Sequence, residues 1–367
     1  MTNRLDATLL LFWIMVLVAG VVMVASASFP LGASADAPGY YVTRHVAYLA
    51  GGLCLFVVFA ATPLSLWEAL HRPFLVLAIA MCVLVLVPGI GHLVNGARRW
   101  IGFGSFSLQA SEATKFCVVV YLAGYLARHH EALRRDPVVL LRPLGLLSVL
   151  AALILLEPDF GSVVVLAGVA GGMLFVAGAR LRHFLAILCL AGLVLAFVSV
   201  LQPYRLERFA TFLDPWSVAF GSGYQLTQAL IAFGRGEWFG LGLGEGIQKL
   251  FYLPEAHNDF IFAVIAEELG LAGAVAIFVL IVALVLRVFR IAGHALAEER
   301  HFGAFLCYGT GLLLGLQSLI NVGVNTGTLP TKGLTLPFIS YGGNSLLVCC
   351  ALIGLTARVQ MEARHAG

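Results

Sequence analysis

Charge is what this sequence lacks most. Only 11% of its 367 residues are Asp, Glu, Lys or Arg, where an average soluble domain carries roughly 25%. Beside an apolar content of 60%, that scarcity excludes a water-soluble globular protein of this length. The 22 Lys and Arg nearly balance the 19 Asp and Glu, leaving a formal net charge of +3. They are scattered and form no basic stripe, which argues against nucleic acid as a partner. Cysteine is absent from polar segments: Cys54, Cys82, Cys117, Cys189, Cys307, Cys349 and Cys350 all lie inside apolar runs. Neighbouring Cys349 and Cys350 point to different faces of a helix, so neither a disulfide framework nor a metal-ligand spacing is expected. They read as small apolar packing residues. No internal repeat is visible, which weakly disfavours transporter folds built from duplicated halves.

What is present is length of apolar run, with a mean hydropathy of +0.97. A transmembrane helix needs about 20 mostly apolar residues. Ten runs qualify, spanning approximately 8–28, 45–62, 73–93, 110–127, 140–156, 161–178, 183–201, 259–287, 302–323 and 343–358. The expected fold is an all-α polytopic membrane protein of about ten transmembrane helices, a single transmembrane domain over 1–367. Thirteen Lys and Arg fall in short connections on one side, among them Arg72, Arg128 and Arg142, and nine in longer loops on the other. The positive-inside rule then places both termini in the cytoplasm, which an even number of spans satisfies.

The two faces are unequal. One outer loop, 202–258 between helices seven and eight, runs to 57 residues, and a loop of that length in a compact protein is usually functional. Within it Gly223–Phe233 reads as a short amphipathic helix, followed by a run of glycines from Gly234 to Gly246 that lets backbone turn tightly and approach a neighbour.

Ionisable residues at membrane depth are expensive and therefore functional candidates. Four clusters stand at the outer ends of the helices. Asn95-Gly96-Ala97-Arg98-Arg99-Trp100 precedes Gln109-Ala110-Ser111-Glu112-Ala113-Thr114-Lys115. Glu112 and Lys115 share a helix face and can pair, either as a self-neutralising packing pair or with Arg99 and Lys115 lining a site for an anion. Glu157-Pro158-Asp159 is either a turn whose aspartate caps the next helix or a weak site for a divalent ion.

The third cluster is Leu253-Pro254-Glu255-Ala256-His257-Asn258-Asp259, with Asp259 expected in the first turn of helix eight. There it is either a cap favoured by the helix dipole or a general base with Glu255 and His257 as orienting neighbours. Glu267 and Glu268 follow and are expected to face the bundle interior. The fourth is Pro330–Ser345, whose two prolines and three glycines forbid a continuous helix, so it must line protein or water. Its one charge, Lys332, is either a snorkelling lysine or a point charge for a phosphate.

Taken together, NGARRW at Asn95–Trp100, QASEATK at Gln109–Lys115, PDFGS at Pro158–Ser162, LPEAHNDFIFAVIAEELG at Leu253–Gly270 and PTKGLTLPFISYGGNS at Pro330–Ser345 resemble the SEDS family (shape, elongation, division and sporulation). The resemblance runs over almost the whole chain. Ala256, where the elongation type usually has Arg, and Thr331-Lys332-Gly333 point to the division branch. Asn258 and Asn344 depart from the usual Thr and Ser and are small polar replacements.

The resemblance implies a peptidoglycan glycosyltransferase that polymerises lipid II, a disaccharide pentapeptide on undecaprenyl diphosphate, on the outer face of the bacterial inner membrane at the division septum. It implies Asp259 as the general base, Arg99, Lys115 and Lys332 as the groups that stabilise the diphosphate, and Glu112, Glu255 and His257 as orienting residues. Expected partners are the bilayer, a class B penicillin-binding protein and other division proteins. A divalent cation, Mg²⁺ or Mn²⁺, suits a diphosphate substrate, with no ligand set that can be named. The rival readings are a lipid II flippase, which needs polar residues continuing to the inner leaflet, and a non-catalytic septal scaffold.

Overall fold

In the computed structural model the residues described are 5–363, apart from 35, 95–96, 104–105, 137, 184, 187–188, 191 and 194–210. Nine of the ten expected runs coincide with α-helices among them; the seventh, 183–201, lies mostly outside the described residues. These helices are α1 (Ala7–Ser34), α2 (Tyr40–Ala61), α4 (His71–Leu86), α5 (Ala110–Arg135), α6 (Val138–Leu156), α7 (Phe160–Val176), α9 (Ile261–Ala297), α10 (His301–Asn325) and α11 (Gly343–Ala363). Two shorter helices are α3 (Leu64–Ala69) and α8 (Tyr224–Gly236). Six of the long ones, α1, α2, α6, α9, α10 and α11, are long and apolar enough to cross a membrane. Their outward flanks are apolar, with Val57, Leu141 and Val279 all more than half exposed. A water-soluble surface does not carry apolar area on that scale, and the chain is a multi-pass membrane protein.

The bundle is built around α10 and α11. α11 packs on α2, and α10 packs on α5, α7 and α9, while α1 and α8 cover α9. These two central helices are lined with small residues where neighbours come close, as membrane helix packing requires.

The fold is not wholly helical. The third run stops at Leu86 instead of 93, because Pro88, Gly89 and Gly91 follow and cannot prolong a helix. Residues Gly91–Val94 (β1), Ala97–Phe103 (β2) and Phe106–Gln109 (β3) form a three-stranded antiparallel sheet in the order β1-β2-β3. In its register Trp100 faces Gln109, the last residue of β3, so the two are set side by side before α5 begins.

The amphipathic segment of the long loop is α8, ending at Gly236, three residues beyond the expected limit. The glycine run after it is clamped to α9. Helix α9 breaks at Gly270 (φ 70°, ψ −174°), a conformation open essentially only to glycine. The break leaves the Glu267 and Glu268 carbonyls to accept from Leu241 N and Gly242 N, both at 3.0 Å. Both glutamates are fully buried, as expected of the bundle interior, and are consumed by this loop. Glu267 accepts from Ile247 N and Gln248 N, each at 3.1 Å. Glu268 accepts from Gly244 N at 3.0 Å and pairs with Lys249 Nζ at 2.6 Å, and the Ser26 hydroxyl of α1 joins them.

Candidate active site

At one end of the bundle, the sheet, four helix starts and two loops enclose a cavity of about 710 Å³. Ala97, Arg99, Trp100 and Gln109 come from the sheet, Glu112 from α5, Pro158–Gly161 from the α6–α7 turn, and Gln225 from α8. Glu255 and Asn258–Phe260 come from the segment before α9, Thr331–Gly333, Thr335, Tyr341 and Gly342 from the segment before α11, and Gly343–Ser345 from the first turn of α11. Of the seven residues singled out in the sequence, five therefore share one cavity: Arg99, Glu112, Glu255, Asp259 and Lys332.

Asp259 lies one residue before the Phe260 N-cap, which corrects its expected place in the first turn. The first-turn amide of Ala263 is met by Asn325 Oδ1 from α10 at 3.0 Å. The Asp259 carboxylate lies against Gly333: a Cβ built on that glycine would come within 3.1 Å of Oδ2. Asp259 thus abuts the loop that carries Lys332, whose Nζ sits over the Phe160 ring, 3.9 Å from its centre, a cation–π placement.

Arg99 is anchored on the α6–α7 turn through two of its three nitrogens and also lines the cavity. Its Nε donates to the Glu157 carbonyl at 3.0 Å and its Nη2 to the Pro158 carbonyl at 2.5 Å, a fork that only a guanidinium provides. In the same turn Asp159 caps α7, accepting from Ser162 N at 3.1 Å and Ser162 Oγ at 2.8 Å. The Glu157 carboxyl is wholly buried, and among the described residues neither of its oxygens meets a hydrogen-bond partner at bonding geometry. Burial, reinforced by the charge of Asp159, pushes it up to about 8.

Lys115 does not line the cavity. It is fully buried behind Glu112, with Nζ 2.7 Å from Oε1. His257 also stands back from it. Its ring packs against Tyr41 and Tyr341, with centroids 5.1 and 5.5 Å away, and its carbonyl accepts from Tyr341 N at 2.9 Å. Burial holds its imidazole below the ordinary value, against the opposing charge of Glu255. Glu255, at φ 55°, opens the turn into Asp259, its carbonyl accepting from Asn258 N and Phe260 N.

The structure adds residues that were not singled out. Gln317, Asn321 and Asn325 are buried on α10 and bond to both loop segments. Their signal was in the sequence: three amides at four-residue intervals inside an apolar run, hence on one helix face. Asn344, noted only as a departure, donates to the Ser107 carbonyl at 2.9 Å and ties α11 to the sheet. Among the described residues no group of three His, Cys, Asp or Glu can hold a metal ion.

The fold and this cavity define a helical, multi-pass membrane protein with an acid-rich site at one end of the bundle, where a carboxylate, a lysine and an arginine converge. Residues 6–365 match the family described as cell cycle protein, FtsW/RodA/SpoVE, and the chain belongs to that family. Its curated relatives include proteins called probable peptidoglycan glycosyltransferase FtsW. The one from Alcanivorax borkumensis is 51% identical over 98% of this chain and 94% of its own length. The one from Legionella pneumophila is 47% identical over 95% and 89%. Among solved structures, a chain of a peptidoglycan synthase complex that coordinates polymerization and crosslinking superposes with a TM-score of 0.78 at 29% identity, covering 98% of both chains. The rod shape determining protein RodA of Thermus thermophilus gives 0.70 at 27%, covering 98% of this chain and 97% of its own.

Proposed function

We propose that this protein is a peptidoglycan glycosyltransferase that polymerises lipid II at the division septum, with Asp259 as its general base. The observation that carries the reading is the meeting of Asp259 with the Thr331-Lys332-Gly333 loop in one cavity. Polymerisation joins an acceptor sugar 4-hydroxyl to the anomeric carbon of a donor. Asp259 takes the hydroxyl proton, the oxygen attacks the anomeric carbon with inversion, and the bond to the lipid diphosphate breaks with its electron pair going to the leaving group. General base catalysis of this kind contributes about 10²–10⁴-fold.

Arg99 and Lys332 meet the charge that develops on the diphosphate. Lys115 acts through Glu112, the member of the pair that reaches the cavity, while Glu255 and His257 hold the turn that presents Asp259. The membrane is the bacterial inner membrane, both termini are cytoplasmic and the cavity opens to the periplasm. The partner is a class B penicillin-binding protein that crosslinks the nascent strand, alongside other division proteins. The transport reading finds little support at Glu267 and Glu268, because both carboxylates are engaged by the loop amides and Lys249.

The test is lipid II polymerisation by the purified chain with its cognate class B partner, the partner's transpeptidase serine blocked. Wild type is expected to make glycan strands, and Asp259→Ala and Asp259→Asn none, while both variants still fold and bind the partner. Normal polymerisation by both variants would remove Asp259 as the base. A silent wild type that moves labelled lipid II between leaflets would replace the enzyme with a transporter.

A further inference from the structure

Two chain segments, 255–260 and 331–342, supply Asp259 and Lys332, and neither is a helix or a strand. Backbone of this kind is free to shift by an ångström unless something holds it, and a shift of that size can cost about 10²-fold in rate. Helix α10 holds it. Asn321 Nδ2 has two hydrogens and uses both on main-chain carbonyls, donating to Asp259 O at 2.9 Å and to Leu334 O at 2.6 Å. One amide therefore bridges the candidate base's own peptide to the loop two residues past Lys332.

One turn further along, Asn325 Nδ2 donates to Asp259 O at 3.0 Å, while its Oδ1 accepts from Ala263 N at the start of α9. One turn back, Gln317 Nε2 donates to the Thr335 carbonyl and hydroxyl, both at 3.1 Å. All three amides are at most 1% exposed. Buried amides at this depth are costly unless bonded, and these are bonded to the two segments that the chemistry needs in register.

We infer that Asn321, seconded by Asn325, is a positioning residue that sets the separation of Asp259 from the Lys332 loop. It touches neither substrate nor reacting atoms and acts through the Asp259 and Leu334 carbonyls. The inference rests on the glycosyltransferase reading above. Removing the side chain releases the Leu334 carbonyl and leaves the Asp259 carbonyl to Asn325 alone, so the link between the two segments is cut and the base can drift from its cation. Substrate contacts elsewhere in the cavity persist, so turnover falls while apparent substrate affinity holds.

The experiment measures kcat and KM for lipid II with the partner-bound protein in wild type, Asn321→Ala, Asn321→Ser and Asp259→Ala. Ser318→Ala serves as the control, because Ser318 is buried on the same helix and its hydroxyl, among the described residues, bonds only to Leu314 O within it. Asn321→Ala is expected to lower kcat by about tenfold to a hundredfold with KM nearly unchanged, and Ser318→Ala to match wild type in both. Asn321→Ser, whose hydroxyl is too short to span both carbonyls, is expected to show the same split and decides the matter where the alanine variant does not fold. Wild-type turnover in folded Asn321 variants beside a silent Asp259→Ala overturns the positioning role alone. So does a rise in KM with kcat intact, or an equal loss in Ser318→Ala. Silence of the wild type with its partner overturns the enzymatic reading and this inference with it.

Discussion

Lys115 Nζ sits 2.7 Å from Glu112 Oε1, with the lysine wholly buried and only the glutamate reaching the cavity wall. The pair is a charge held behind the site and presented to it through its partner. Removing one member leaves the other buried and uncompensated. Glu112→Ala is expected to cost about 3–5 kcal/mol of stability. The neutral double variant Glu112→Gln with Lys115→Met is expected to unfold within a few degrees of wild type yet to polymerise poorly. Thermal unfolding in detergent and the polymerisation assay separate the two effects. Full activity in the double variant would make the pair a packing device only.

Glu157 makes stability depend on pH. Its folded value of about 8 lies above the ordinary 4.5, so the fold prefers the neutral acid. The sign follows: its contribution is fully present below about 4.5 and is lost as the pH rises toward 8, at up to about 1.4 kcal/mol per pH unit. Wild type is expected to unfold at a lower temperature at pH 8.5 than at pH 5. Glu157→Gln is expected to flatten that dependence and to be the more stable of the two at the alkaline end.

Gly270 is expected to tolerate no side chain. Its φ of 70° is joined by a clash, since a Cβ there would lie 2.4 Å from Gly240 N and 2.5 Å from Phe239 N. Gly270→Ala should destabilise the protein by at least about 2 kcal/mol and free the loop between Gly240 and Lys249. Faster proteolytic nicking in that loop than in wild type is the readout.

Much of this architecture was legible in the chain. Nine apolar runs became helices because a segment that must satisfy its own backbone in lipid has no other choice. The short amphipathic helix in the long loop was visible from a different local property, its apolar residues recurring on one helical face. The sheet at 91–109 was not: its strands are short, glycine-broken and carry Arg98 and Arg99, and they are held by pairing and by packing on α4 and α5. The inward fate of Glu267 and Glu268 was legible from their depth, but their partners were not, because the amides of Ile247 and Gln248 reach them only once the loop has folded back.

The candidate site divides along the same line. The motifs marked Asp259, Arg99 and Lys332, and spacing alone paired Glu112 with Lys115, because a helix puts residues three apart on one face. Which of these charges meet was settled by packing. Asn325 reaches Asp259 across 66 residues, and Asn344 reaches Ser107 across 237. The sequence by itself determined the membrane class and the approximate positions of nine helices, because apolar transfer and helical hydrogen bonding are summed within one segment. Only the tertiary structure decided that Lys115 stands behind Glu112, that Arg99 grips the α6–α7 turn, and that Asp259 and Lys332 share a cavity. Those outcomes belong to contacts between segments far apart in the chain, and no local property of either segment contains them.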